Sequence, residues 1–160
     1  MNKIGPLLTY VRIGMAALLL IFIIYLQIGG KTSNAEVTDV AAQVTAAVDM
    51  SSMQESTNRL FKKFYGLNAN DYEGIALYSP VSNMDAEEIL IVKLKSTSQA
   101  DEVKEAIESR CQTQKDSFEG YGIEQYALLE DALIDVQGNY ILYIVHADAR
   151  AGDEAFRKSL

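Results

Sequence analysis

The chain has 160 residues, 22 of them acidic against 14 basic, and a formal net charge of −8. That acidity speaks against nucleic acid and anionic lipid headgroups as partners, since both would repel it. A single cysteine excludes an internal disulfide, and one cysteine with one histidine cannot build a structural zinc centre.

Lys3 and Arg12 precede an uncharged apolar run from Ile13 to Ile28. At 1.5 Å per helical residue the run spans about 24 Å, and extension back to Leu7 brings it to about 33 Å, enough for a hydrocarbon core of about 30 Å. Arg12 would snorkel to the near interface, Pro6 suits the first helical position, and Tyr10 and Tyr25 lie near the two ends. The expected organisation is a cytoplasmic N-terminus (1–6), a transmembrane signal-anchor helix in the bilayer (7–28), a linker (29–36) and an extracytoplasmic domain (37–160). Two of the basic residues lie in the anchor region, and the positive-inside rule keeps that end cytoplasmic. The rival reading is a cleaved signal peptide with Ser33-Asn34-Ala35 as its small-residue site, which would release the domain near Ala35. The apolar core is longer than the usual 7–15 residues of such peptides, which favours the anchor. Cys111, the only cysteine, is too far downstream for a lipoprotein.

Beyond the linker, Val40, Val44 and Val48 recur at helical spacing after Thr38-Asp39, giving a short helix that ends near Asp49. Met50 to Asn58 is polar and reads as a turn. Leu60, Phe61, Phe64 and Tyr65 form the apolar face of a second helix, with Gly66 as its C-cap. Tyr72 to Ser79 and Glu87 to Lys95 read as strands. On the second, Leu90, Val92 and Leu94 line one face, while Lys93 and Lys95 suggest that the other meets water. Ser98 as N-cap with Asp101 at the third position opens a long helix. Its buried stripe carries Val103, Ile107, Cys111, Gln114, Phe118 and Tyr121, with Gly120 and Gly122 at its end. Ala132–Val136 and Tyr140–His146 flank Gln137-Gly138-Asn139 as a tight hairpin, and the second of these strands is apolar on both faces, hence central. A last helix, from about Gly152 to Lys158, turns Phe156 inward. The order α-α-β-β-α-β-β-α predicts an α+β fold of two layers, an antiparallel four-stranded sheet packed with helices on one face.

No catalytic constellation stands out, so no catalytic, cofactor-binding or metal-ligating residue is assigned. His146 is the only imidazole, placed at a strand end. Cys111 falls on a buried helical stripe, where cysteine acts as a small hydrophobe. Asp85-Ala-Glu-Glu88 and Asp148 to Glu154 are the densest carboxylate clusters, and neither has calcium-loop spacing. Glu87 and Glu88 point to opposite faces of one strand, which speaks against a paired acid/base site. Tyr65, Tyr72, Tyr78, Tyr121, Tyr126, Tyr140 and Tyr143 are core candidates first and an aromatic ligand platform second.

Phe64-Tyr-Gly-Leu67, Asp71-Tyr-Glu73, Ala86-Glu-Glu-Ile-Leu-Ile-Val-Lys-Leu-Lys95 and the Gly138-Asn-Tyr140 hairpin together resemble the bacterial domain of unknown function 4358 family. The resemblance runs over roughly Val37 to Lys158. Members are typical of clostridia-like Gram-positive bacteria and carry a lipoprotein signal or a membrane anchor, and this chain departs from the lipoprotein version. The resemblance implies envelope localisation and supplies no catalytic site. The expectation is therefore a non-catalytic, membrane-anchored extracytoplasmic module whose partner is an envelope protein or a wall component. The alternatives are a carboxylate-dependent envelope hydrolase using Asp71, Glu73, Glu87 or Asp148, and a ligand- or calcium-binding sensor.

Overall fold

Two strands of this protein bury every side chain they carry, and that fact decides the architecture. The computed structural model describes residues 32–160 together with 14, 15 and 18–20. Most of the expected membrane segment, 7–28, lies outside the described residues; among the described residues no helix is long and apolar enough to cross a membrane. Thr32–Leu160 form one compact unit. In chain order its elements are α1 (Val37–Ala46), β1 (Met53–Glu55), α2 (Asn58–Tyr65), β2 (Gly74–Pro80), β3 (Glu88–Lys93), α3 (Ala100–Phe118), α4 (Ile123–Glu130), β4 (Leu133–Gln137), β5 (Tyr140–Val145) and α5 (Ala149–Ser159).

The sheet has five antiparallel strands in the order β1-β2-β3-β5-β4, one more than the four expected. The extra strand comes from the stretch read as a polar turn. Of its three residues only Met53 faces inward, so no alternation is long enough to read. Short, polar strands are how sheet edges avoid pairing with other chains.

The fold class is α+β, but the expected two layers are three. Leu77, Leu90, Val92, Ile141, Tyr143 and Val145 face α2, α3 and α4 through Phe61, Tyr65, Val103, Ile107, Phe118 and Leu129. On the other face Ile89, Ile91, Leu142 and Ile144 meet Val40, Val44, Ala149 and Phe156 of α1 and α5. Lys93 misled the reading of that second face. It is 5% exposed, and its ammonium lies over the Tyr140 ring, 6.0 Å from the centroid, and reaches Glu73 Oε1 at 2.8 Å. A lysine whose long stem is buried and whose head finds a carboxylate at the rim does not mark a wet face.

Further corrections concern helix ends. Ser96, not Ser98, opens the long helix: its side chain and that of Gln99 form a capping box over a single 3-10 turn, Thr97–Gln99. The long helix stops at Phe118, so Tyr121 is 62% exposed and not part of the buried stripe. The expected reading also placed nothing between Gly122 and Ala132, where α4 lies. Gly66 is the C-cap expected, with φ 72°, and its N–H donates to Lys62 O. Gly138, with φ 60°, turns the β4–β5 hairpin.

The hairpin turn also holds the start of the unit. Asn139 accepts from Ser33 N–H at 2.7 Å and donates to Ser33 O at 3.0 Å, so its amide pairs with the backbone as a neighbouring strand would. Tyr140 Oη donates to Ala35 O at 2.6 Å, and Ser33 Oγ to Leu160 O at 3.1 Å. Burial, and then the nearby acidic side chains Glu36, Glu73 and Asp39, push the Tyr140 hydroxyl up to about 12.

Gly152 lets α5 lie close to the sheet: a Cβ there would stand 2.6 Å from Ile144 Cδ1 and 3.4 Å from Val48 Cγ1. In an exposed helix, Gly→Ala gains up to about 1 kcal/mol from propensity. Here overpacking wins, and Gly152→Ala is expected to lower stability by about 1–2 kcal/mol in urea unfolding.

Candidate functional site

The start of β3 places a carboxylate inside the protein. Glu88 is 0% exposed and sits on the face covered by α2 and α3. Leaving an ion there unpaired would cost several kcal/mol, so partners must come from the covering helices. Arg110 of α3 supplies a side-on fork, Nη2 to Oε2 at 2.7 Å and Nε to Oε1 at 3.3 Å. Tyr65, the last residue of α2, donates its hydroxyl to Oε1. The guanidinium lies over the Phe64 ring, 4.0 Å from its centroid, an arrangement that adds cation–π attraction.

The electrostatics follow from this packing. Burial lowers the Arg110 pKa, but hydrogen bonding and charge from Glu88 outweigh it and hold the guanidinium above its ordinary value. Burial first, and then the Glu88 charge, hold the Tyr65 hydroxyl well above the tyrosine range. Tyr143 is raised as well, by burial and then by the neighbouring Cys111 and Glu88, and its hydroxyl has no hydrogen-bond partner.

The fork uses only one edge of Arg110. Nη1 makes no hydrogen bond among the described residues, and the side chain is 16% exposed. Arg110 lines a groove of about 210 Å³ between α3 and the β2–β3 loop. One turn further along α3, Gln114 lines the same groove; it is 7% exposed and its Oε1 is buried without a partner. Ser79 and Pro80 at the end of β2, Ser82, Asn83 and Asp85 of the loop, and Ser117, Phe118 and Tyr121 complete the wall. Gln125 of α4 accepts from Ala86 N–H at 2.8 Å and ties the loop to the helices.

Four other hollows are larger, among them one of about 410 Å³ beside Phe118, Ile123 and Tyr126 and one of about 250 Å³ beside Cys111 and Tyr143, whose buried hydroxyl has no partner. A third, of about 550 Å³, runs between α1 and α5 past Ala47, Ala151 and Ala155, and contains no unpartnered buried polar atom. The fourth, of about 590 Å³, is lined by His146, Asp148 and Arg150. Both nitrogens of His146 are spoken for: Nδ1 accepts from Asp148 N–H at 2.8 Å, which leaves Nε2–H to donate to Asp49 O at 3.0 Å. The imidazole therefore ties the end of α1 to the start of α5 and has no free nitrogen to act as a base.

Of the carboxylates weighed for hydrolysis, the structure brings Glu87 and Asp148 to opposite sides of that imidazole, 3.7 and 4.0 Å away. Ser52 donates to Glu87, not to the histidine, so the three do not form a nucleophile–base relay. Asp71 is exposed in a 3-10 turn, and Glu73 is engaged by Lys93. Glu87 and Glu88 do part to opposite faces. Cys111 is half-buried and donates to Leu129 O at 3.6 Å. Among the described residues no three His, Cys, Asp or Glu side chains converge on a point that could hold a metal ion. Of the seven tyrosines, Tyr65, Tyr72, Tyr140 and Tyr143 are buried, and only Tyr121 stands out in solvent beside the groove.

Arg110 and Gln114 were missed as a pair. The available signals were a glutamate opening an apolar strand and a glutamine on an otherwise apolar helical stripe, both polar groups that burial obliges to find partners.

Glu88→Gln, which leaves the Arg110 charge buried without its counter-ion, is expected to cost about 3–5 kcal/mol in urea unfolding. Tyr65→Phe is expected to cost less, about 1–2 kcal/mol. A tyrosine whose folded-state pKa is raised contributes stability that is complete below the ordinary value of about 10 and lost as pH rises above it. Tyr143→Phe should therefore leave stability at neutral pH unchanged or higher, and should flatten the loss above about pH 10 relative to wild type.

Residues 46–146 match the family described as a domain of unknown function (DUF4358). No curated protein and no solved structure matches the chain. The matched stretch covers more than half of the chain and contains Tyr65, Glu88, Arg110, Gln114 and the whole β2–β3 loop. The chain belongs to the DUF4358 family.

Proposed function

We propose that the protein is a non-catalytic binding module of the bacterial envelope, tethered by residues 7–28, with the groove over Arg110 and Gln114 as its recognition site. The observation that carries this reading is the side-on fork to Glu88, which leaves one edge of Arg110 uncommitted in a residue that lines the groove with Gln114. Because Glu88 already neutralises Arg110, the groove offers directed dipoles and little net charge. The anchored arrangement is supported by the charge-free run from Ile13 to Ile28 and by the residues that follow it. Ser33 and Ala35 take part in the hydrogen bonds of the folded unit, which cleavage near Ala35 would strip away.

Two measurements test the proposal. A thermal-shift screen of the full chain in detergent against wall fragments, peptides and calcium should find a compound that raises the melting temperature of wild type and not of Gln114→Leu. If every active compound acts equally on both, the groove is not the site. Glu124→Cys in a Cys111→Ala background should react with a membrane-impermeant maleimide on intact cells; labelling only after lysis would contradict the outward orientation.

A further inference from the structure

We propose that the rim of the groove, at the end of the sheet opposite the entry of the chain, docks a cationic, apolar segment of a partner protein. This names the partner of the binding module and rests on that reading of the groove. Among the described residues of the folded unit, the large apolar side chains most open to solvent are Ile123 at 82%, Met84 at 65%, Val81 at 63% and Tyr121 at 62%. They come from two places in the chain, the β2–β3 loop and the junction of α3 with α4. The fold brings those places together: Pro80, Ser82, Asn83 and Asp85 line one groove with Phe118 and Tyr121, and Gln125 holds Ala86. Ile123 and Phe118 share the adjoining hollow. Apolar side chains scattered singly are ordinary on a surface, whereas four on one rim, an aromatic and a methionine among them, have the composition of an interface core.

The charge around the rim selects the occupant. Residues 80–88 and 116–131 carry eight carboxylates and no basic side chain. Glu88 is consumed by Arg110, but Glu119 and Glu124, which flank Tyr121 and Ile123, are exposed, and Asp85 follows Met84. On the α2 side stands Lys63, its ammonium 6.0 Å from the Phe64 ring centroid, so the acidic field belongs to the loop and the α3–α4 junction. A partner that covers the apolar tips meets carboxylates at their edge, and basic side chains beside its own apolar ones answer them. A second copy of this chain would set the same carboxylates against each other across a two-fold contact, which is repulsive. Anionic headgroups would be repelled likewise. The chain enters the folded unit at the Tyr140 end of β5, where Ser33 bonds Asn139. The rim lies at the other end, about 17 Å along the strand, where the β2–β3 loop leads into Glu88 opposite Val145.

The test uses the full chain in phosphatidylcholine nanodiscs, followed by NMR through the methyl groups of Met84 and Ile123, with Val136 of β4 as the remote control. The probe is an N-acetylated hexapeptide amide that alternates lysine with leucine. One comparison peptide replaces its leucines with serine, and another replaces its lysines with glutamate. The expected result is a saturable shift at Met84 and Ile123 and none at Val136 with the lysine–leucine peptide. Tyr121→Ser should weaken it by about tenfold and Glu124→Gln by about threefold, both at exposed positions that leave the fold intact. Equal affinity for the glutamate–leucine peptide would overturn the cationic partner, and equal affinity for the lysine–serine peptide would overturn the apolar one. Shifts that grow with protein concentration alone would assign the rim to a second copy, and shifts on adding phosphatidylglycerol to the discs would assign it to lipid; either overturns the proposal. Silence at both methyl groups with every peptide would overturn the rim as a docking surface, while the groove itself is judged separately by the thermal-shift difference between wild type and Gln114→Leu.

Discussion

A carboxylate with no access to water stands at the head of the central strand, and its need for counter-charge organises one whole side of the protein. Glu88 lies where β3 enters the core, under α2 and α3. Hydrophobic contacts alone would let those helices slide, since apolar burial has no preferred direction. The Arg110 fork and the Tyr65 hydroxyl do have direction. They fix the rotation of α3 about its axis and the position of the end of α2, and with them which residues of α3 face outward beside the β2–β3 loop. The ion pair adds little net stability over an apolar replacement; its effect is on register.

The groove is a by-product of that arrangement. Holding Arg110 by one edge leaves the other edge at the surface, and the same helical face brings Gln114 beside it. The loop that closes the groove is itself pinned, through Gln125 and Ala86, to α4. The groove walls therefore sit on supported elements, and in the function proposed little ordering would accompany binding.

Much of this fold was legible in the sequence. The valine spacing of α1, the Phe61–Tyr65 face with its Gly66 cap, the apolar run Tyr140–Val145 and the Gly138 hairpin each carry a local signal that tertiary structure then respects. What was not legible depended on partners far away in the chain. β1 exists only because β2 offers an edge, and the second helical layer was hidden because Lys93 finds Glu73 across the sheet. Ser98 and Ser96 are both plausible caps by composition, and Gln99 decides between them by bonding back to Ser96 and across to Asp71 O. The candidate site was the least legible part. Arg110 and Glu88 are 22 residues apart, and only folding reveals that this arginine has a buried carboxylate to answer.

The central claim is that Glu88 and Arg110 act as one directed unit. A double-mutant cycle with Glu88→Leu, Arg110→Leu and the double variant, read by urea unfolding, tests it most directly. The account predicts single losses of about 3–5 kcal/mol and a double variant far more stable than their sum, with a coupling of at least about 2 kcal/mol. Losses that add to within about 0.5 kcal/mol would mean that the two side chains are independent, and would contradict it.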